Sequence, residues 1–140
     1  MIIGIGTDLV DIRRIERSLE RFGDAFCKRI YTASEQTFCN SREGRKRAAA
    51  YAMRFAAKEA CSKALGTGLR NGVFWRDMES GHLSSGKPVM TLTGGALERL
   101  HTLAPKEATP QVDVSLTDEY PYAMAVVIIS TKKSKDANNE

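Results

Sequence analysis

Asp8, Glu59 and Lys63 are the residues whose types and spacing offer the clearest chemistry. Asp8 follows the apolar stretch Ile2-Ile3-Gly4-Ile5-Gly6, whose glycines let another backbone or a ligand come close. A carboxylate just past a strand can ligate a hard divalent cation, or it can cap a helix or close a turn. Glu59 and Lys63 lie one helical turn apart in an alanine-rich segment and share a face. Alone, such a pair is a surface ion bridge worth about 0.3–0.5 kcal/mol. Here it is flanked by a basic cluster upstream, Gly66-Thr67-Gly68 downstream and small alanine neighbours, a setting that also suits a site handling negative charge. The cluster Arg42, Arg45, Lys46 and Arg47, with Arg54 further on, can bind phosphate through charge-assisted hydrogen bonds or form a solvated helix face. Gly66-Thr67-Gly68 matches neither a P-loop nor a dinucleotide fingerprint and reads as a helix stop. His82 and His101 have no partner at metal-ligand spacing and belong to no Ser-His-Asp or Cys-His set, so both read as surface or turn residues.

These residues need elements to position them. Ile2 to Gly6 reads as a strand, with Asp8 just beyond its end. Val10, Ile12, Ile15 and Leu19 mark a helix over about 10–21, with Arg13, Arg14, Arg17 and Arg21 on its polar side and Gly23 as its stop. Thr32 and Glu35 form a capping box for a short helix. Alanine content predicts a long helix over 45–65. The second half changes character. Strands are expected at 73–78, 89–92, 112–117 and 123–130, with a turn at 84–88, a short helix at 94–103 and a hairpin loop at 118–122. Helices early and strands late predict an α+β fold, an antiparallel sheet packed against a long helix, with the first strand joining from the far end of the chain. One domain spans 1–130, and 131–140 is a polar C-terminal tail.

The chain has 140 residues, 42% hydrophobic and 27% charged, enough for a core without disulfides or a structural metal. Lys and Arg number 21 against 17 Asp and Glu, an excess that suits an anionic partner without naming one. Cys27, Cys39 and Cys61 form no CxxC pair and read as reduced, buried thiols. No run reaches membrane-span length and the N-terminus does not read as a signal peptide, so the expected location is cytoplasmic.

The segments Gly4-Ile5-Gly6-Thr7-Asp8-Leu9-Val10-Asp11-Ile12 with Arg14-Ile15-Glu16, and Arg54-Phe55-Ala56-Ala57-Lys58-Glu59-Ala60 through Lys63-Ala64-Leu65-Gly66-Thr67-Gly68, resemble the two signatures of the short bacterial holo-[acyl-carrier-protein] synthase type of the 4′-phosphopantetheinyl transferase superfamily. Gly86-Lys87-Pro88, Val114-Ser115-Leu116-Thr117-Asp118-Glu119 and the closing strand from Ala123 to Ile129 match as well. The resemblance implies transfer of phosphopantetheine from coenzyme A to a serine of apo acyl carrier protein, releasing 3′,5′-ADP, in support of fatty acid biosynthesis. It implies Mg2+ held by Asp8 and Glu59, and coenzyme A phosphates contacted by Lys63, Arg45, Lys46 and Arg54. It implies a catalytic set of Glu59, Lys63 and Asp8, with either Glu59 or a metal-bound water as the base. Arg14 and Arg21 match basic positions that dock the acidic carrier protein. A homotrimer with active sites at subunit boundaries is implied, with neither nucleic acid nor membrane as partner. One departure stands out: many members have histidine directly before Val-Ser-[Leu/Ile]-Thr, and here it is Asp113. The rival readings are a transferase for a specialised carrier protein, a member made inactive through Asp113, and a basic nucleic-acid-binding module, consistent with a pI near 9.1.

Overall fold

A computed structural model describes residues 1–133. In chain order it contains strand β1 (Ile2–Asp11), helices α1 (Ile12–Phe22), α2 (Asp24–Ile30), α3 (Ala33–Asn40) and α4 (Gly44–Ala64), strands β2 (Met78–His82) and β3 (Pro88–Leu92), helix α5 (Gly94–Leu103), and strands β4 (Ala108–Glu119) and β5 (Tyr122–Lys133). The α+β expectation holds. An antiparallel sheet of order β1-β5-β4 lies against α4, and β2-β3 form a separate antiparallel hairpin. The first strand does pair with the last, Val10 opposite Ala123 and Gly6 opposite Val127.

Period-two alternation gives the sheet two unlike faces. Val10, Ala123, Ala125, Val127 and Ile129 are buried on the inner face, against a helix whose own inward residues are mostly alanines: Ala52, Ala56, Ala57, Ala60 and Ala64. Small side chains bring the helix backbone close to the strands.

Several boundaries differ from the sequence reading. β1 runs on to Asp11, so Asp8 lies within a strand and not beyond one; β5 supplies ladder partners for the whole stretch, ending at Asp11 opposite Tyr122. Asp11 then becomes the N-cap of α1, its carboxylate accepting from the Arg13 backbone N–H at 2.9 Å and from the Arg13 guanidinium at 2.7 Å. The guanidinium beside it holds the Asp11 carboxyl down to about 2. Gly23, at a positive φ of 51°, ends α1 and lets the chain restart at once as α2, which the sequence did not announce. The strand expected at 73–78 is a single 3-10 turn at Trp75–Asp77, because the Asp77 carboxylate folds back to accept from the Phe74 N–H; strand geometry starts only at Met78. Of the expected tail, residues 131–133 continue β5, and the remainder lies outside the described residues.

The Thr32–Glu35 capping box forms as expected, but Glu35 reaches further. Its Oε1 accepts from the Thr32 N–H at 2.8 Å and faces the Lys58 ammonium at 2.8 Å, while Oε2 accepts from the Ser80 N–H at 2.8 Å. Lys58 also donates to the carbonyls of Trp75 and Met78 at 3.0 and 2.8 Å. Neither side chain of the pair is exposed. One buried ion pair thus ties α3, α4 and β2 together. Burial lowers the proton affinity of Lys58, and Glu35 opposes the shift.

The three cysteines are buried and unpaired. Desolvation pushes the Cys39 thiol up to about 11 and the Cys61 thiol up to about 12, so the reactive thiolate is scarce at neutral pH. The native protein should therefore leave a maleimide or disulfide reagent unconsumed, and release all three thiols to it only on unfolding; rapid labelling before unfolding would contradict this packing.

Candidate active site

Gly4, Gly6, Asp8 and Val10 alternate onto the inner face of β1 and cross the C-terminal half of α4. A Cβ on Gly6 would collide with the carbonyl oxygen of Ala60, and one on Gly4 with that of Ala64. The glycines therefore set the distance at which strand and helix meet, and that meeting gathers the residues the sequence singled out. Lys63 donates to Asp8 Oδ1 at 3.2 Å and to the Thr7 carbonyl at 3.0 Å. The Asp8 side chain is 17% exposed. Glu59 stands one turn before Lys63. Burial raises its proton affinity, the charge of Asp8 raises it further, and Lys63 and Arg14 pull the other way. Asp8, Glu59 and Lys63 thus form one electrostatic group, with Arg14 of α1 on its border.

Among the described residues no cluster of three or more His, Cys, Asp and Glu is gathered; the acidic centre is a pair. That fits a Mg2+-type cation, which takes one or two carboxylates and completes its shell with waters and substrate phosphates. Burial first, and the charge of Asp8 second, raise Glu59; a divalent cation would relieve the second.

Gly6→Ala tests the geometry. The added methyl must push β1 off α4, costing about 2–3 kcal/mol and separating Asp8 from Glu59. Chemical denaturation should report the lost stability, and activity should fall by more than the unfolded fraction accounts for.

The remaining expected cations do not converge here. Arg54 and Lys46 line a cleft of about 510 Å³ near the N-terminal half of α4, with Phe38, Arg42, His82 and Asp118. On helix geometry Arg54 is about 14 Å from Lys63 along the axis and on nearly the opposite side. Arg45 stacks elsewhere, its guanidinium 3.9 Å from the ring centroid of Tyr120. His82 is exposed at the end of β2, as its surface reading expects, and it also lines the Arg54 cleft, packed edge-on against Phe38 with ring centroids 4.9 Å apart. No spacing rule could have joined Phe38 to His82; the β2-β3 hairpin brings them together. Asp113 points to the outer face of the sheet, away from α4, and accepts from Gln111 at 3.0 Å.

Arg14 and Arg21 lie two turns apart on α1 and line a groove with Arg17 and Phe22. A neighbouring groove continues through Phe22, Phe26, Phe55 and Trp75. Phe22 is 54% exposed, so the basic face carries an apolar centre.

The family model described as the 4′-phosphopantetheinyl transferase superfamily matches residues 4–125. The chain is 56% identical over 130 residues to a holo-[acyl-carrier-protein] synthase of Parvibaculum lavamentivorans, covering 93% of this chain and 96% of that protein. Its structure is similar to the crystal structure of holo-[acyl-carrier-protein] synthase from Neisseria meningitidis, at TM-score 0.78 and 37% identity, over 93% of this chain and 99% of that one. The Bacillus anthracis holo-(acyl-carrier-protein) synthase in complex with CoA (3′,5′-ADP) aligns at TM-score 0.76 and 32% identity, over 94% and 99% of the two chains.

Proposed function

The chain belongs to the 4′-phosphopantetheinyl transferase superfamily, and on that premise we propose that it transfers 4′-phosphopantetheine from coenzyme A to a serine of apo acyl carrier protein, releasing 3′,5′-ADP, for fatty acid biosynthesis in the cytoplasm. The observation that carries the reading is the meeting of Asp8, Glu59 and Lys63 across the glycine-mediated contact of β1 with α4.

Asp8 and Glu59 would hold Mg2+, which when bound neutralises charge on the coenzyme A pyrophosphate. Lys63 supplies a second positive charge, already oriented by Asp8 and the Thr7 carbonyl, and stabilises the departing 3′,5′-ADP. The serine oxygen bonds to the β-phosphorus as the bond from that phosphorus to the bridging oxygen of 3′,5′-ADP breaks. The serine proton must leave in the same event. Glu59, whose proton affinity burial and Asp8 both raise, is suited to accept it directly or through an intervening water.

The separation of Arg54 and Lys46 from Lys63 supports an assembly in which two copies complete one site, one bringing Asp8, Glu59 and Lys63, the next bringing Arg54 and Lys46. The outer sheet face suits such an assembly: Ile5 and Leu9 are more than 60% exposed there, and Met124 is 38% exposed. We read this as the homotrimer. Arg45, engaged with Tyr120, would lie at the edge of the nucleotide site.

Arg14, Arg21 and the exposed Phe22 form the docking face for the acidic carrier. Arg21→Glu should raise KM for carrier protein about tenfold, with KM for coenzyme A unmoved and the effect shrinking as salt rises. Arg14→Glu should change kcat as well, because Arg14 also acts on Glu59. Equal KM values for wild type and Arg21→Glu would remove α1 from the docking face.

The direct test is mass spectrometry of apo acyl carrier protein incubated with this enzyme, coenzyme A and Mg2+. A gain of the phosphopantetheine mass on the carrier is expected, and its absence would overturn the reading.

A further inference from the structure

Lys63 occupies the carboxylate that a divalent cation would need. Its ammonium is 3.2 Å from Asp8 Oδ1 and 3.0 Å from the Thr7 carbonyl oxygen. Among the described residues no other cation forms an ion pair with Asp8, and no ion pair includes Glu59. One flexible cation therefore supplies the direct contact that the acidic pair receives.

The two partners differ in freedom. Asp8 rides on a strand laddered to β5, and its side chain is 17% exposed, whereas that of Lys63 is 52% exposed. A lysine head on its four-carbon stem can swing where this carboxylate cannot. The Thr7 carbonyl is an anchor the ammonium can keep while it lets go of Asp8.

Charge decides when it lets go. Asp8 and Glu59 are negative, and Lys63 and Arg14 are the positive charges that oppose them at Glu59. Two acids and two bases balance. A divalent cation added alone would leave the set positive, with metal and ammonium crowded on one carboxylate. A pyrophosphate added alone would face two carboxylates, with the nearest ammonium already committed to one of them. Added together, cation and pyrophosphate offset each other, and the ammonium exchanges a carboxylate oxygen for a phosphate oxygen.

We infer that Lys63 is a latch on Asp8: its ammonium competes with the divalent cation for that carboxylate and is released to the phosphates, so that cation and pyrophosphate substrate bind cooperatively. The identity of that substrate as coenzyme A rests on the proposed function; the competition for Asp8 rests on the contact itself.

Calorimetry tests this by measuring Kd for Mg2+ with and without coenzyme A, and Kd for coenzyme A with and without Mg2+, in wild type, Lys63→Met and Lys63→Arg. Both substitutions fall on a half-exposed side chain, and circular dichroism checks the fold. Mg2+ alone should bind Lys63→Met about tenfold more tightly than wild type, whereas Lys63→Arg, which keeps the charge, should stay near wild type. With coenzyme A present, the advantage of Lys63→Met should vanish. By reciprocity, losing the ammonium should then cost coenzyme A about tenfold more affinity in the presence of Mg2+ than in its absence. Equal Mg2+ affinities in wild type and Lys63→Met would overturn the latch. So would a loss of coenzyme A affinity that is the same with and without Mg2+, the result expected of a lysine that only attracts phosphate. If wild type transfers nothing yet both shifts appear, the transferase reading fails and the latch stands. If transfer is normal and neither shift appears, the reverse holds.

Discussion

Asp8→Asn and Glu59→Gln should each lower kcat/KM for phosphopantetheine transfer by on the order of 10³-fold while leaving the protein folded. Both keep the size of the side chain and remove only the charge that would bind the cation and, for Glu59, the proton acceptor. Stability provides the sign check. Burial and Asp8 raise the proton affinity of Glu59 above the ordinary carboxylate value. A carboxyl shifted upward favours the folded state most when protonated, at pH below its ordinary range, and that benefit is lost as pH rises through the shifted value. Wild type therefore carries an unrelieved charge at neutral pH that Glu59→Gln lacks. Without Mg2+, the melting temperature of Glu59→Gln should exceed that of wild type at neutral pH, and the gap should close on acidification. Added Mg2+ should stabilise wild type and not the variant. A Glu59→Gln enzyme with normal turnover would remove the acidic pair from the mechanism.

Lys58→Ala should cost about 3–5 kcal/mol of stability, although Lys58 is adjacent to Glu59 and faces no cleft. The substitution strands the Glu35 carboxylate in a fully buried position and frees the carbonyls of Trp75 and Met78. Lys58→Met with Glu35→Gln should cost less than the sum of the two single changes, because neither then leaves an isolated charge. Denaturant midpoints check both statements. A surface-sized loss below about 1 kcal/mol for Lys58→Ala would mean that the pair is solvated.

Much of this was legible in the sequence because local rules govern it. The alanine run of α4, the Thr32 capping box and the alternation in β5 each follow from neighbouring residues. Local features marked Glu59, Lys63 and Asp8 only as candidates, beside an ion-pair reading for the first two and a cap or turn reading for the third; their joint role came from the resemblance. What escaped depends on partners remote in the chain. β1 extends through Asp8 to Asp11 only because β5 lies beside it. Phe74-Trp75 has strand composition, but the Asp77 side chain turns it. His82 gained its place in a cleft from a hairpin packed over α3. Lys58 and Lys63 are the same residue type five positions apart, and nothing local says that one is sealed inside while the other stands at the acidic pair.

That contrast bears on Glu59, which stands between two anchored neighbours. Lys58 is fastened to three separate elements, and Ala60 is pressed by its own carbonyl against Gly6. The main chain carrying the carboxylate can neither slide along the helix axis nor rotate about it without tearing one of those attachments. In the proposed reaction, a cation carrying a pyrophosphate would meet negative charge whose position was decided when the chain folded, and little binding energy would be diverted into rearranging the protein.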